Sequence, residues 1–255
     1  MVQLVIYLEL VMLVNVDSKH LDWTAAVYLA QDQVGIQEIV NNWDIHSDNQ
    51  KVFQLPSRLI AKIFLFRIIF GGTAYSFAND NDFAECGFSE KEWEEVIERF
   101  YSKYKGIAAW HKRLVDEATE KGVLSIPTGR SWSYSPSRNK RGELVWPITK
   151  IKNYPVQGLE ADLMAITRVS LFNRIKKHAR YSSILLISTV HDSILLDVPI
   201  ELVPWVVDTI YSVFNDVPDN FEKLFGIKFN LPFRGEVKVG NDYLNMKEYS
   251  GEQLQ

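Results

Sequence analysis

The stretch that most restricts the fold lies in the last third of the chain. Two apolar runs, Ile184 to Val190 and Ile194 to Val198, are separated only by His191, Asp192 and Ser193. Strand-length runs joined by so short a polar link read as a β-hairpin, so the chain contains antiparallel sheet and its hairpin tip carries a carboxylate. The N-terminus repeats the pattern, since the apolar run Met1 to Val16 ends directly on Asp17. Its β-branched residues, Val2, Val5, Ile6, Val11, Val14 and Val16, suit a strand buried on both faces. A signal peptide or membrane anchor fits less well. No Lys or Arg precedes Lys19, Gln3 and Glu9 interrupt the run, and it falls short of the roughly 20 residues a membrane helix needs.

Between these strands the apolar positions take a helical period. A helix is predicted from about Leu21 to Ala30. Pro56 and Ser57 open a long helix that Gly71-Gly72 ends, because Pro suits a first turn, Ser an N-cap and Gly a stop. Two more helices are expected over about Ser89 to Tyr104 and Gly106 to Lys121, broken at Gly106. Residues 123 to 147 read as short strands and loops, punctuated by Pro127, Gly129, Pro136, Gly142 and Pro147. Another helix is expected from near Pro155 to about His178, since Leu159, Leu163, Ile166, Val169, Phe172 and Ile175 recur at helical spacing. A helix from about Glu201 to Phe214 and a strand from about Phe233 to Val239 complete the pattern. The fold class is therefore α+β: an antiparallel sheet with packed helices and an inserted helical lobe.

With 255 residues, 47% hydrophobic and 24% charged, the chain has the profile of a soluble globular protein, which excludes disorder, collagen and coiled coil. The formal charge of -4 gives no bulk signal for a phosphate-rich partner. Cys86 is the single cysteine and cannot form an internal disulfide or a zinc cluster, which points to a reducing compartment.

Two groups of residues carry chemistry. On the helix from Ser57, the residues Arg58, Lys62, Phe66 and Phe70 follow at i, i+4, i+8 and i+12, so two cations and two rings share one stripe. Leu59, Ile60, Ile63, Phe64, Leu65, Ile68 and Ile69 are left to supply the buried contact. The stripe fits a solvated basic helix end, or a triphosphate site in which Arg and Lys hold phosphate and the rings stack on base and sugar. The second group is Asp17 and Asp192, each at the end of an apolar strand. On neighbouring strands they could share divalent cations, as two-metal phosphoryl transfer requires, although a lone strand-end Asp is usually a turn residue.

These residues stand in a series that resembles the family A DNA polymerases, the group of bacterial DNA polymerase I and many phage replicases. The stretch Asp17-Ser18-Lys19-His20-Leu21-Asp22 running to Asp32 is similar to motif A, Arg58-xxx-Lys62-xxx-Phe66-xxx-Phe70-Gly71 to motif B, and Val190-His191-Asp192 to motif C. Asp44-Ile45-His46, the segment Asn153-Tyr154-Pro155-Val156-Gln157-Gly158 with Ala161-Asp162-Leu163-Met164, and the closing Gly235-Glu236-Val237-Lys238-Val239-Gly240 are also family-like. The matches fall in family order over nearly the whole chain.

The resemblance implies a palm over 1–32 and 122–255 and fingers over 33–121, with the nucleotide helix at 57–70. It implies two Mg²⁺ ions, with Mn²⁺ as a substitute, on Asp17, Asp192 and the backbone carbonyl of Ser18. Arg58, Lys62 and His46 would hold the incoming dNTP, with Lys62 also placed to protonate the leaving pyrophosphate. Phe66 would lie against sugar and base, and Phe70 near the templating position. Asn153, Gln157 and His191 match primer-template contacts, and Tyr75 and Arg130 are further DNA-contact candidates for which packing or surface roles fit equally. The implied partners are primer-template DNA and dNTPs, with no membrane, in a bacterial or phage-infected cytoplasm.

Departures from the pattern are specific. Asp22 stands where the family usually has a Glu that blocks a ribose 2'-hydroxyl and bonds a Tyr at the place of Phe70, so ribonucleotide exclusion is expected to be looser. Phe66 is the variant expected to disfavour dideoxynucleotides. Arg67 replaces a usual Gly and reads as a third cation near the triphosphate, and Ser193 replaces a common Glu. Only sixteen residues precede Asp17, where relatives carry a thumb and often a 3'-5' exonuclease, so a separate polypeptide supplying those parts is expected, or else a compact distributive enzyme. Rival readings are a non-catalytic primer-template-binding subunit of a split replicase and a single-subunit RNA polymerase relative.

Overall fold

The computed structural model describes residues 10–250, so the expectations placed on residues 1–9 lie outside it. In chain order these residues form β1 (Val11–Ser18), α1 (Leu21–Ala30), α2 (Gln33–Val40), α3 (Ile45–Phe53), α4 (Arg58–Ile69) and α5 (Ala74–Ala78). Then come α6 (Glu90–Lys103), α7 (Lys105–Lys121), β2 (Val123–Ser125), β3 (Ser131–Ser133), β4 (Ser137–Arg138), β5 (Leu144–Val145) and α8 (Ile148–Ile175). The remainder is β6 (Leu185–Val190), β7 (Ser193–Pro199), α9 (Val203–Asn215), α10 (Val217–Phe225), β8 (Gly235–Gly240) and β9 (Lys247–Glu248). Contacts divide the described residues into a sheet unit, 10–19 with 161–228 and 232–250, and a helical unit, 20–160 with 229–231. Helix α8 contributes to both.

In the sheet unit, five antiparallel strands run in the order β6-β7-β1-β8-β9. The register pairs Val14 with Leu196 and Val239, and Val16 with Ile194 and Val237. Because directly paired residues share a face, these six side chains, at most 2% exposed, form one apolar layer against α9. Helix α9 answers with Val206, Val207, Ile210, Val213 and Phe214, none more than 1% exposed. Each such side chain contributes on the order of 1.5–3 kcal/mol by leaving water. The alternate positions of β1, Leu13, Asn15 and Asp17, necessarily face the other way. Within the described residues the burial expected on both faces of β1 is complete on one and partial on the other, where Asn15 is buried but Leu13 and Asp17 are half-buried.

The helical unit is organised around rings. Phe53, Phe64, Phe77, Trp93, Phe100 and Tyr104 are at most 1% exposed, with Phe64 stacked on Trp93 at 5.8 Å and set edge-on to Phe53 and Phe100. Asp32 ties two helices together: its Oδ1 accepts the Gly35 amide at the start of α2, and its Oδ2 accepts the amides of Gly106 and Ile107 at the start of α7. The break expected at Gly106 falls at Tyr104, and Gly106 lies within the first turn of α7. A Cβ at Gly106 would come 2.6 Å from the Asp32 Cα. Gly106→Ala should therefore lower stability by about 1–3 kcal/mol through forced backbone movement, measured by denaturant unfolding; a change below about 0.5 kcal/mol would refute the close-approach account.

Helix α8 starts earlier than expected, with Pro155 inside it and Ile151 fully buried. Val169 and Phe172, read as part of its apolar face, are 52% and 49% exposed. Among the described residues no helix is long and apolar enough to cross a membrane.

Candidate active site

The two strand-end aspartates lie at the same end of neighbouring strands in the sheet unit. Asp17 pairs with Ser193 in the β1–β7 register, and the Ser18 amide donates to the Asp192 carbonyl at 2.8 Å. Asp192 lies in a turn of two residues, with His191 at φ 51°, so both aspartates occupy the same end of adjacent strands. Sequence reasoning assigned no role to Glu236, which pairs with Asp17 from β8 and is held by the Lys19 ammonium at 3.4 Å. The missing signal was register, which no local pattern reveals.

The donor set fits a hard divalent ion. Two carboxylates and the Ser18 carbonyl are oxygen donors, and Mg²⁺ characteristically takes one or two carboxylates and completes its shell with water and substrate phosphate. Among the described residues no three His, Cys, Asp or Glu side chains cluster as a complete cage. The Ser18 hydroxyl alternates onto the apolar face, where it is buried without a hydrogen-bond partner, leaving its carbonyl as the candidate donor.

In the helical unit, α4 opens where expected: the Ser57 Oγ accepts the Ile60 amide at 3.2 Å. It ends at Gly71, whose φ of 89° is unfavourable for a side chain and whose Cβ would press on the Lys152 stem at 3.1 Å. Ile60, Ala61, Phe64, Leu65, Ile68 and Ile69 are buried, leaving Arg58, Lys62 and Phe66 exposed along the opposite stripe. Leu59 departs from its expected core role and is 64% exposed, because it neighbours Arg58 on the solvent side. Phe70 is 9% exposed and packs edge-on against Phe66 with centroids 4.7 Å apart.

Four side chains, Arg58, Asp44, Lys62 and His46, gather at the N-terminal ends of α3 and α4. Arg58 forks onto Asp44 through Nε and Nη2, both at 3.0 Å, while Asp44 caps α3 by accepting the Ser47 amide and hydroxyl. Arg58 and then Ser47 hold the Asp44 carboxyl far below the usual carboxylate range. As both partners are about half exposed, the pair is worth about 0–1 kcal/mol, so Arg58 can exchange Asp44 for another anion. Lys62 has no ion-pair partner among the described residues. His46 is 6% exposed, and both its ring nitrogens are buried without hydrogen-bond partners. Its pKa is pushed down to about 4 by burial first, then by His20, Arg58 and Lys62, so the ring is neutral at pH 7. Two buried ring nitrogens beside two cations are thus left with unused hydrogen-bonding capacity.

The remaining candidates sit on several elements, with the Arg130 stem packed against Gly158 beside Gln157. Asp22 is half-buried in the first turn of α1, and Tyr75 is 65% exposed on α5. Arg130 is exposed in the β2–β3 loop. Asn153 is half-buried with its Oδ1 unpartnered, Gln157 is exposed one turn further along α8, and His191 is exposed at the hairpin tip. Arg67 corrects its expectation: the guanidinium bonds both Asp80 and Asp82 and lies over the Phe83 ring at 5.8 Å. It braces α4 against the 3-10 turn Asn81–Cys86, which Asp80 caps, and is not a third cation for phosphate. His111 was missed; buried at 3% exposure, it bonds the Tyr101 hydroxyl and the Ile69 carbonyl at 3.0 and 3.1 Å, pinning the end of α4.

An antiparallel sheet with paired strand-end aspartates, and a helical unit displaying an Arg, Lys and Phe stripe, are the equipment of a polymerase fold. The family model for DNA polymerase family A matches residues 5–245, and the chain belongs to that family. It is 27% identical over 247 residues to the thermostable DNA polymerase I of Thermus filiformis and 25% identical to that of Thermus aquaticus, covering 93% of this chain and 27% of each relative. DNA polymerase I of Caldicellulosiruptor bescii is 27% identical over 92% of this chain. The chain thus spans about a quarter of the length of the relatives it matches. The POL domain of Pol1 from M. smegmatis, solved in complex with DNA primer-template and dNTP, has a TM-score of 0.73 at 19% identity over 91% of this chain and 40% of that one.

Proposed function

We propose that this chain is the palm and fingers of a template-directed DNA polymerase, extending a primer 3'-hydroxyl with dNTPs and releasing pyrophosphate. The carrying observation is the placement of Asp17 and Asp192 side by side at the ends of β1 and β7. Mg²⁺ or Mn²⁺ bound there would activate the attacking hydroxyl and neutralise the pyrophosphate charge. Asp17 and Asp192 would hold that charge in place, with the Ser18 carbonyl as a further donor. Arg58 would trade Asp44 for the triphosphate, neutral His46 would donate to a phosphate oxygen, and Lys62 would deliver a proton to the leaving group. Phe66 would support the nucleotide, with Phe70 behind it near the templating base. Asn153, Gln157 and His191 would contact primer and template, with Tyr75 and Arg130 as further contacts. Palm 1–32 and 122–255 and fingers 33–121 are proposed as the functional division. A phage-like source, a cytoplasmic setting and a separate polypeptide supplying thumb or exonuclease belong to the same proposal.

Primer extension with the purified chain, alone and with any co-encoded partner, tests the reading; no incorporation under either condition would overturn it. Sugar choice gives a second test. With Asp22 one methylene short of Glu, and Phe70 lacking a hydroxyl, the ribose 2'-position should be loosely guarded. The Asp22→Glu, Phe70→Tyr double variant is expected to raise the dNTP over rNTP ratio of kcat/KM by about tenfold or more, the worth of a methylene and a hydrogen bond. An unchanged ratio would refute this role for the pair.

A further inference from the structure

Positive charge gathers in two short stretches: 168–180, where Arg174 is paired with Asp216 and Arg180 with Glu201, and 138–152. Residues 138–152 hold Arg138, Lys140, Arg141, Lys150 and Lys152 against the single acid Glu143, a formal +4 in a chain whose total is -4. The other 240 residues therefore carry -8 between them. The core of this stretch is the hairpin β4–β5, and its tip is fixed by its own bonds. The Asn139 Oδ1 accepts the amides of Arg141 and Glu143 at 2.9 and 3.0 Å, the Gly142 amide donates to the Asn139 carbonyl, and Gly142 takes φ 79°. The Arg138 guanidinium clamps the Gly142 carbonyl at 2.6 Å, and Glu143 is occupied by the Asn139 amide nitrogen at 2.8 Å.

What remains at the tip is Lys140 and Arg141, both exposed and, like Lys150 on the first turn of α8, without an ion-pair partner among the described residues. A solvated charge run needs no fixed backbone. Here the turn is bonded through side chain and main chain, its one carboxylate is engaged, and unneutralised cations are presented on a preset frame. Such a frame suits a regularly spaced polyanion whose charges bring their own counterions, since binding then releases those ions to solution.

We propose that the β4–β5 hairpin is a phosphodiester-backbone grip, in which Lys140 and Arg141, supported by Lys150, clasp nucleic acid without reading its sequence. This rests on the polymerase reading above and deepens it by naming an element that adds affinity. Phosphate contacts of this kind position a duplex and carry little sequence information.

The test is fluorescence-anisotropy binding of a labelled primer-template duplex to the full chain over a range of salt, comparing the parent with Lys140→Ala, Arg141→Ala. Losing two phosphate contacts should flatten the slope of log affinity against log salt by about 1.8, so the parent's fall between about 50 and 200 mM salt should exceed the variant's by about tenfold. The charge-preserving Lys140→Arg, Arg141→Lys variant should keep the parent slope, and both variants should keep the parent's thermal midpoint because these side chains are exposed. A parent that binds the duplex while the alanine variant shows the same slope would overturn the hairpin proposal alone. A parent without measurable duplex binding would overturn it together with the polymerase reading.

Discussion

Replacing Asp192 by alanine is expected to lower primer extension by at least about 10³-fold while leaving the fold intact. The magnitude follows from the charge at stake. A divalent ion that stabilises a developing phosphoryl charge supplies several kcal/mol, and each 1.36 kcal/mol is tenfold in rate. The structural cost should be small, because Asp192 sits in a two-residue turn and its backbone carbonyl, which accepts the Ser18 amide, remains after the substitution. Asp17→Asn should behave alike, although Asp17 is more closely surrounded, facing Ser193 on one side and Glu236 on the other. Single-turnover incorporation, with circular dichroism as the check on folding, separates the outcomes. An Asp192→Ala chain that extends primer at the parent rate would refute the assignment of the strand-end carboxylates.

These aspartates were legible because they terminate apolar runs, a local pattern. The same holds for α4, whose Ser57 cap and Gly71 stop are conditions that a few neighbouring residues impose on the backbone. Helix α8 shows where local reading fails. The helical spacing from Leu159 onward places its start near Pro155, yet the helix extends a further two turns toward the N-terminus, where Ile151 is fully buried. Burial outweighed the lost hydrogen bond. The partners that decide what the site side chains can do were invisible for a different reason. Asp44 on Arg58, Asp80 and Asp82 on Arg67, and Glu236 opposite Asp17 are brought in by other elements, at separations that no helical or strand period encodes. Arg67 is the instructive case: its position on α4 suggested a phosphate ligand, and only the tertiary structure shows its charge already spent on two carboxylates.

The helical unit contains a buried charge cluster whose disruption should be the largest purely structural effect. Glu38 is 1% exposed, with the Lys103 ammonium 2.8 Å from its Oε1 and the Tyr104 hydroxyl donating to its carboxylate at 3.0 Å. Lys103 also bonds Asp48 and Asn49, at 2.8 and 2.7 Å, and so links α6 to α2 and α3. Burial raises the Glu38 pKa above its ordinary value, against the opposing pull of Lys103. Lys103→Met keeps the stem but strands an anion in the core, for which about 3–5 kcal/mol of stability should be lost at pH 7. The sign of the pH dependence follows. An acid whose folded pKa lies above its unfolded value is penalised in its ionised form, so the penalty is absent below the unfolded pKa, grows as pH rises toward the folded value, and is complete beyond it. Without Lys103 the folded pKa rises further. Lys103→Met should therefore regain stability relative to the parent as pH falls toward the ordinary carboxylate range, and Glu38→Gln added to it should recover part of the loss at pH 7. Urea unfolding at pH 7 and at about pH 5 reads both effects; a Lys103→Met chain within about 1 kcal/mol of the parent at pH 7, or equally impaired at both pH values, would show that Glu38 does not depend on this ammonium.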